Sequence, residues 1–212
     1  MLSFKIVDFI IDFVILSNGK VMIEMENIYI VLTQSRSIVA RAIKKATKKT
    51  YNHCSIAFEP ELPEMYSMGR INPNNPVFGG LVIEKINQGT YKKFDDTVCE
   101  ILEIKVSAEQ LKLMKKQLKL MLSEQKSYKY NYLGLFAGAA GISYRPEKRF
   151  FCSEFVRYIL NAGSVDTSFL PEIVQPTDFL KFSEYTIVYK GLLKEAYIPK
   201  INRLYGNELV KQ

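Results

Sequence analysis

The chain has 212 residues, 48% hydrophobic and 24% charged, a balance that excludes a disordered polypeptide and suits one well-buried domain better than two. Lysine and arginine number 29 against 22 acidic residues, a formal charge of +7, yet no zinc-finger, RNP or basic-zipper pattern directs that charge to specific nucleic acid. Three cysteines and a single histidine argue against a disulfide framework and a structural zinc site, so neither metal nor cofactor is expected and a reducing compartment is the simpler setting.

In chain order, "FKIVDFIIDFVIL" (4–16) has apolar residues at helical spacing with Asp8 and Asp12 on the opposite side. It falls short of the roughly 20 residues of a membrane span. It also lacks the basic leader and small-residue cleavage site of a secretory signal. The expectation is an N-terminal amphipathic extension over 1–24, then a single domain over 25–212, with Met25 opening a stretch that reads as a natural domain start. A cytoplasmic location is the default, with peripheral membrane association left open.

"IYIVLT" (28–33) reads as a strand, and "SRSIVARAIKKATKK" (35–49) as a helix with its basic residues late, where they favour the helix dipole. "HCSIAFE" (53–59) is a strand whose hairpin partner is "MYSMG" (65–69), and "INPNNPVFGG" (71–80) is a loop by its local residues. "LVIEKI" (81–86) and "VCEILEIKV" (98–106) are strands. At Ser107, "SAEQ" has the form of a capping box opening a long helix, with Leu111, Leu113, Met114, Leu118, Leu120, Met121 and Leu122 as its apolar side. "YKYNYLGLFAGAAGI" (128–142) is helical or loop-plus-helix. A helix over 152–162 buries Phe155, Val156, Ile159 and Leu160; "TDFLKF" (177–182) is a short helix and "YTIVYKG" (185–191) a closing strand. One α+β domain fits this order: antiparallel strands with helices packed on them. The basic clusters at 41–49 and 112–119 are solvated helix faces or contacts to an anionic surface.

The chemistry-bearing residues are Cys152 and His53. A cysteine at a helix N-terminus gains thiolate character from unpaired N–H groups and the helix dipole. It still needs a base that can return the proton to a leaving group, and His53 is the sole histidine. Alternation along its strand puts His53, Ser55 and Ala57 on a small, polar, cleft-facing side and Cys54, Ile56 and Phe58 on an apolar side. Cys54 and Cys99 are therefore read as inert core residues. Glu154, two residues after Cys152, is a dipole partner.

The stretches "YNHCSIAFEPELPEMYSMGR", "NPVFGGLVIEKI" and "RFFCSEFVRYIL" together resemble the circularly permuted, YiiX-like branch of the NlpC-like, papain-type cysteine hydrolases, bacterial enzymes in which the histidine strand precedes the nucleophile helix. The resemblance spans residues 27–192. It implies a papain-like α+β core with Cys152 as nucleophile and His53 as general base. A third residue then fixes the imidazole: Ser67 falls at the family position, and Glu64, or Tyr66 of the same strand parity, is the alternative. Glu64 is the chemically preferred choice because a carboxylate also stabilises imidazolium. The oxyanion donors are the Cys152 N–H and, as a second, Gln34. The implied activity is hydrolysis of an amide or ester through a cysteine thioester. The substrate is a cell-wall (peptidoglycan-derived) or other peptide, or a lipid amide for a lipid-directed amidase, phospholipase or acyltransferase. A dormant ligand-binding module is the reading from another class. Oligomeric state is not legible.

Overall fold

A computed structural model describes residues 24–35, 50–139 and 141–196 of the chain. The expectations for residues 1–23 and 36–49, including the basic cluster at 41–49, lie outside these residues.

Eight strands form one sheet in the order β7-β6-β4-β3-β2-β1-β5-β8. They are β1 (Met25–Gln34), β2 (His53–Ala57), β3 (Met65–Asn72), β4 (Asn75–Glu84), β5 (Val98–Ser107), β6 (Lys129–Tyr130), β7 (Arg149–Phe150) and β8 (Thr186–Leu192). The helices are α1 (Gly89–Lys93), α2 (Ala108–Ser123), α3 (Tyr132–Ala139) and α4 (Cys152–Ala162). The protein is α+β, as its order of elements predicts. The sheet is mixed and not wholly antiparallel, because β6 and β7 run parallel. The "TDFLKF" helix is a 3₁₀ turn over Pro176–Lys181, tight because Pro176 opens it and only one further turn follows.

The stretch 71–80 is not a loop. β3 continues to Asn72, Asn72 pairs with Asn75, and β4 begins at once, so only Pro73 and Asn74 turn. Local residue types marked turn signals at both prolines. Pro76 tolerates a strand because the register with β3 shifts between Arg70 and Asn72, leaving it no registered partner there, and the registered β6 partner of β4 is further on, at Gly80.

Two cores result from period-two alternation. On one face Ile28, Ile30 and Leu32 of β1, Cys54 and Ile56 of β2, and Leu102, Ile104 and Val106 of β5 pack against α2 and α4. On the other, Tyr29, Val31, Ala57, Met65, Cys99 and Ile101 close over Tyr91 of α1 and Leu193. The helix α2 starts as its sequence predicts: Ser107 Oγ accepts from the Gln110 N–H and Gln110 Oε1 accepts from the Ser107 N–H. It buries Leu111, Met114, Leu118 and Met121, while Leu120 is 55% exposed. In α4, Phe155, Val156, Ile159 and Leu160 are wholly buried, the stripe expected from their spacing.

Candidate active site

Cys152 is the first residue of α4. The chain reaches it through β7, whose Phe150 is in register with Tyr130 of β6. The Asn131 N–H donates to the Phe150 carbonyl at 2.9 Å, fixing this delivery. Glu154, 6% exposed, accepts from the Phe151 N–H at 3.2 Å and from Arg145 Nε at 3.1 Å. It therefore ties down the start of the helix and does not face the sulfur, in keeping with its reading as an N-terminal partner. The Ser153 hydroxyl donates to the Val174 carbonyl at 2.8 Å.

His53 opens β2. Its ring Nε2 lies 3.1 Å from Glu84 Oε1 and 3.3 Å from Oε2. Glu84 ends β4 and is held in turn by the Ser55 hydroxyl, which donates to Oε2 at 2.6 Å, and by the Tyr91 hydroxyl at 3.4 Å. The buried Ser67 hydroxyl stands beside the same carboxylate but short of hydrogen-bond geometry. Gly69 makes room for the arrangement: a Cβ there would lie 3.1 Å from Glu84 Oε1 and 3.0 Å from Val82 Cγ2.

The side shared by Ser55, Ser67 and Glu84 is not the open cleft that alternation predicts. Ser55, Ala57 and Ser67 are wholly buried, because α1 and Leu193 cover that face. His53 escapes burial only because it sits at a strand end, where its side chain keeps 20% exposure.

The imidazole reaches the sulfur on the other face because the sheet opens beside it. β1 and β2 stay in register to Thr33–His53, whereas β2 and β3 share one registered pair, Ile56–Tyr66. Towards His53 the two strands therefore part. Cys152 meets both the thiol and the backbone N–H of Cys54 there, and the Tyr130 hydroxyl lies against its sulfur. Cys54, expected to be an inert core residue, is thus a neighbour of the candidate nucleophile. Its side of β2 is the side on which α4 packs. Cys99 keeps the inert reading: it lies in the opposite core, and burial pushes its thiol up to about 12.

The charges reinforce one another. Contact with the Cys54 thiol holds Cys152 well below the ordinary thiol range; burial opposes this, and the His53 charge and the Cys54 N–H add to it. Burial disfavours the His53 cation, but the Glu84 charge and then Cys152 push it up to about 10. Glu84 is held below the usual carboxylate range: burial works against its charge, and His53, Ser55 and Ser67 outweigh burial. Both shifts favour a thiolate beside an imidazolium. Ring and sulfur act on each other by direct contact first and by charge second.

Glu64 is not brought to this site. It accepts from the Tyr66 hydroxyl at 2.8 Å and pairs with Lys85 at 3.3 Å, and it lines a separate cavity of about 540 Å³ with Phe58, Lys115 and Leu118. Glu64 and Tyr66 share the helix-facing parity of β3, whereas Glu84 and His53 meet on the other side. The acid that does reach His53 sits on the third strand of the meander. Its signal in the sequence was a lone carboxylate in the apolar run "LVIEKI", a run read as a strand without its glutamate being singled out. Gln34 ends β1, one residue past Thr33, the register partner of His53.

Among the described residues, no group of three or more His, Cys, Asp or Glu side chains could hold a metal ion, and no helix is long and apolar enough to cross a membrane. Comparisons with protein-family models, curated proteins and solved structures found no match.

Proposed function

We propose that the protein is a cysteine hydrolase that cleaves an amide or ester bond through a thioester, with Cys152 as nucleophile, His53 as acid and base, and Glu84 in place of Glu64 as the residue that orients the imidazole. The observation that carries this reading is the line Glu84–His53–Cys152, in which one ring nitrogen is held at 3.1 Å by a buried carboxylate and the ring is coupled to a sulfur at a helix N-terminus. A buried carboxylate on the far nitrogen fixes tautomer and orientation and stabilises imidazolium. With Nε2 so occupied, Nδ1 is the nitrogen left for the sulfur.

The chemistry follows from those positions. The thiolate attacks the carbonyl carbon, and the oxygen takes the electron pair. The Cys152 N–H, in the first turn of α4 where donors have no partner within the helix, serves as a donor to the developing oxyanion. His53 hands its proton to the departing amine or alcohol as the tetrahedral carbon collapses to a thioester. Neutral His53 then takes a proton from water, which attacks the thioester and frees Cys152. A positioned acid–base of this kind contributes about 10²–10⁴-fold in rate. The Tyr130 hydroxyl supplies a further donor beside the sulfur.

The permuted NlpC-like, papain-type architecture suggested by the sequence motifs fits this arrangement: the histidine strand precedes the nucleophile helix in the chain, and the helix packs on β2, which carries the base, and on its neighbour β3. On that reading the substrate is a peptide, including one derived from the cell wall.

The reading is tested by alkylation with iodoacetamide across pH, followed residue by residue by peptide mass analysis. Cys152 is expected to react at pH 6, with Cys54 and Cys99 spared, and Cys152→Ala to abolish both this labelling and turnover of a panel of peptide amides and esters. Cys152 labelling that begins only near pH 8.5, the ordinary thiol range, would sink the proposal.

A further inference from the structure

Two of the three cysteines touch. Cys54 lies on the face of β2 that packs against α4, in the same buried cluster as Cys152, and the Cys152 sulfur contacts both the thiol and the backbone N–H of Cys54. A sulfur in contact with a residue's own backbone N–H lies within about one side-chain length of that residue's Cα. Disulfides need Cα atoms about 4.4–6.8 Å apart, so no large backbone movement separates these two residues from a covalent link. Their accessibility differs in a useful way. Cys54 is wholly buried, whereas Cys152 is 4% exposed and adjoins His53, which reaches solvent. Cys99 is on the opposite face of the sheet.

We propose that Cys54 is a resolving thiol for Cys152, so that a small hydroperoxide converts the pair into a reversible Cys54–Cys152 disulfide that switches the site off. This rests on the thiolate reading of Cys152 given above. In the first step the Cys152 thiolate attacks the peroxide O–O bond. Sulfur is oxidised to a sulfenic acid, and the departing oxygen leaves as water, or as an alcohol from an organic hydroperoxide, after taking the His53 proton. In the second, Cys54 loses its proton and attacks the sulfenic sulfur. The S–O bond breaks, the oxygen leaves as water, and the S–S bond forms. Two thiols have been oxidised and one peroxide reduced. Attack by an external thiol reverses the link. Burial dictates the order: peroxide reaches the slightly exposed Cys152 from the side where His53 meets solvent, whereas Cys54 is wholly buried behind it. The disulfide would remove the nucleophile and protect it from irreversible oxidation to sulfinic acid.

The test treats the full chain with equimolar hydrogen peroxide at pH 7, blocks free thiols by alkylation and maps unreduced peptides by mass. The expected product is a peptide joining 54 to 152 and lacking two hydrogens, with Cys99 alkylated, loss of iodoacetamide labelling at Cys152, and its return after dithiothreitol. Cys152 found as sulfinic or sulfonic acid while Cys54 is still a free thiol would overturn the inference and leave the thiolate reading standing. Cys152 left unoxidised under these conditions would overturn both. Cys54→Ser gives the second readout: its Cys152 is expected to over-oxidise and lose labelling beyond rescue by dithiothreitol. Recovery equal to that of the unchanged protein would reject a resolving role.

Discussion

A carboxylate's partners, more than its distance along the chain, separate the two candidate orienting residues. Glu84 is engaged by His53 and by the Ser55 and Tyr91 hydroxyls. Glu64 is 39% exposed and paired with a 43% exposed Lys85. Replacing the buried partner of a metal-bound imidazole typically lowers activity about 10–100-fold and that of a catalytic imidazole by up to about 10⁴-fold, while an exposed ion pair is worth about 0–1 kcal/mol. Glu84→Gln should therefore slow Cys152 alkylation at pH 6 by at least about tenfold, because the neutral amide no longer favours imidazolium and the thiolate is lost with it. Glu64→Gln should leave that rate within about twofold. Equal losses in the two variants would contradict the assignment.

Among the elements, glycines set how closely the strands that build the site approach. At Gly79 of β4 a Cβ would lie 2.7 Å from Tyr130 Cβ and 2.9 Å from the Tyr132 hydroxyl oxygen. Gly79→Ala must therefore push β6 outward and carry Tyr130 away from Cys152. The expected result is a folded protein with slower Cys152 alkylation, and Tyr130→Phe should reproduce the defect without moving the strand. Helix α2 offers a test of local structure away from the site. Loss of an N-cap side chain costs about 1 kcal/mol, so Ser107→Ala should lower the urea midpoint by an amount corresponding to about 1 kcal/mol, with alkylation of Cys152 unchanged.

For the whole molecule, the thiolate–imidazolium pair makes stability depend on pH in a defined way. The His53 cation is favoured by folding, so its contribution is complete below the unfolded value near 6.5 and is lost as pH rises towards about 10. The Cys152 thiolate is also favoured by folding. Its contribution is complete above the unfolded value near 8.5 and is lost as pH falls. Between about 6.5 and 8.5 one gain offsets the other loss, because folded and unfolded states then bind the same number of protons at these two groups. The unfolding midpoint should be flat across that window and decline on either side. In Cys152→Ala only the histidine contribution remains, so the midpoint should fall steadily from about pH 6.5 upward. Thermal unfolding of the two proteins across the pH range checks this.

Local chemistry made much of this protein legible. Continuous apolar runs marked β1 and β5, periodicity marked the faces of β2 and α4, the Ser107–Gln110 pattern marked the start of α2, and the position of Cys152 before an apolar stripe marked a thiol at a helix N-terminus. These are properties of neighbours in the chain, and short-range spacing encodes them. What the tertiary structure decided depends on which strands lie side by side and where they part. Glu84 rather than Glu64 reaches His53 because β4 presents its carboxylate on the covered face of the sheet. Residues 71–80 extend as strands because β3 and β4 pair around a two-residue turn. Cys54 meets Cys152 because its side of β2 is the one on which α4 packs. No sequence window contains those contacts, since each joins residues that only the folded sheet makes neighbours.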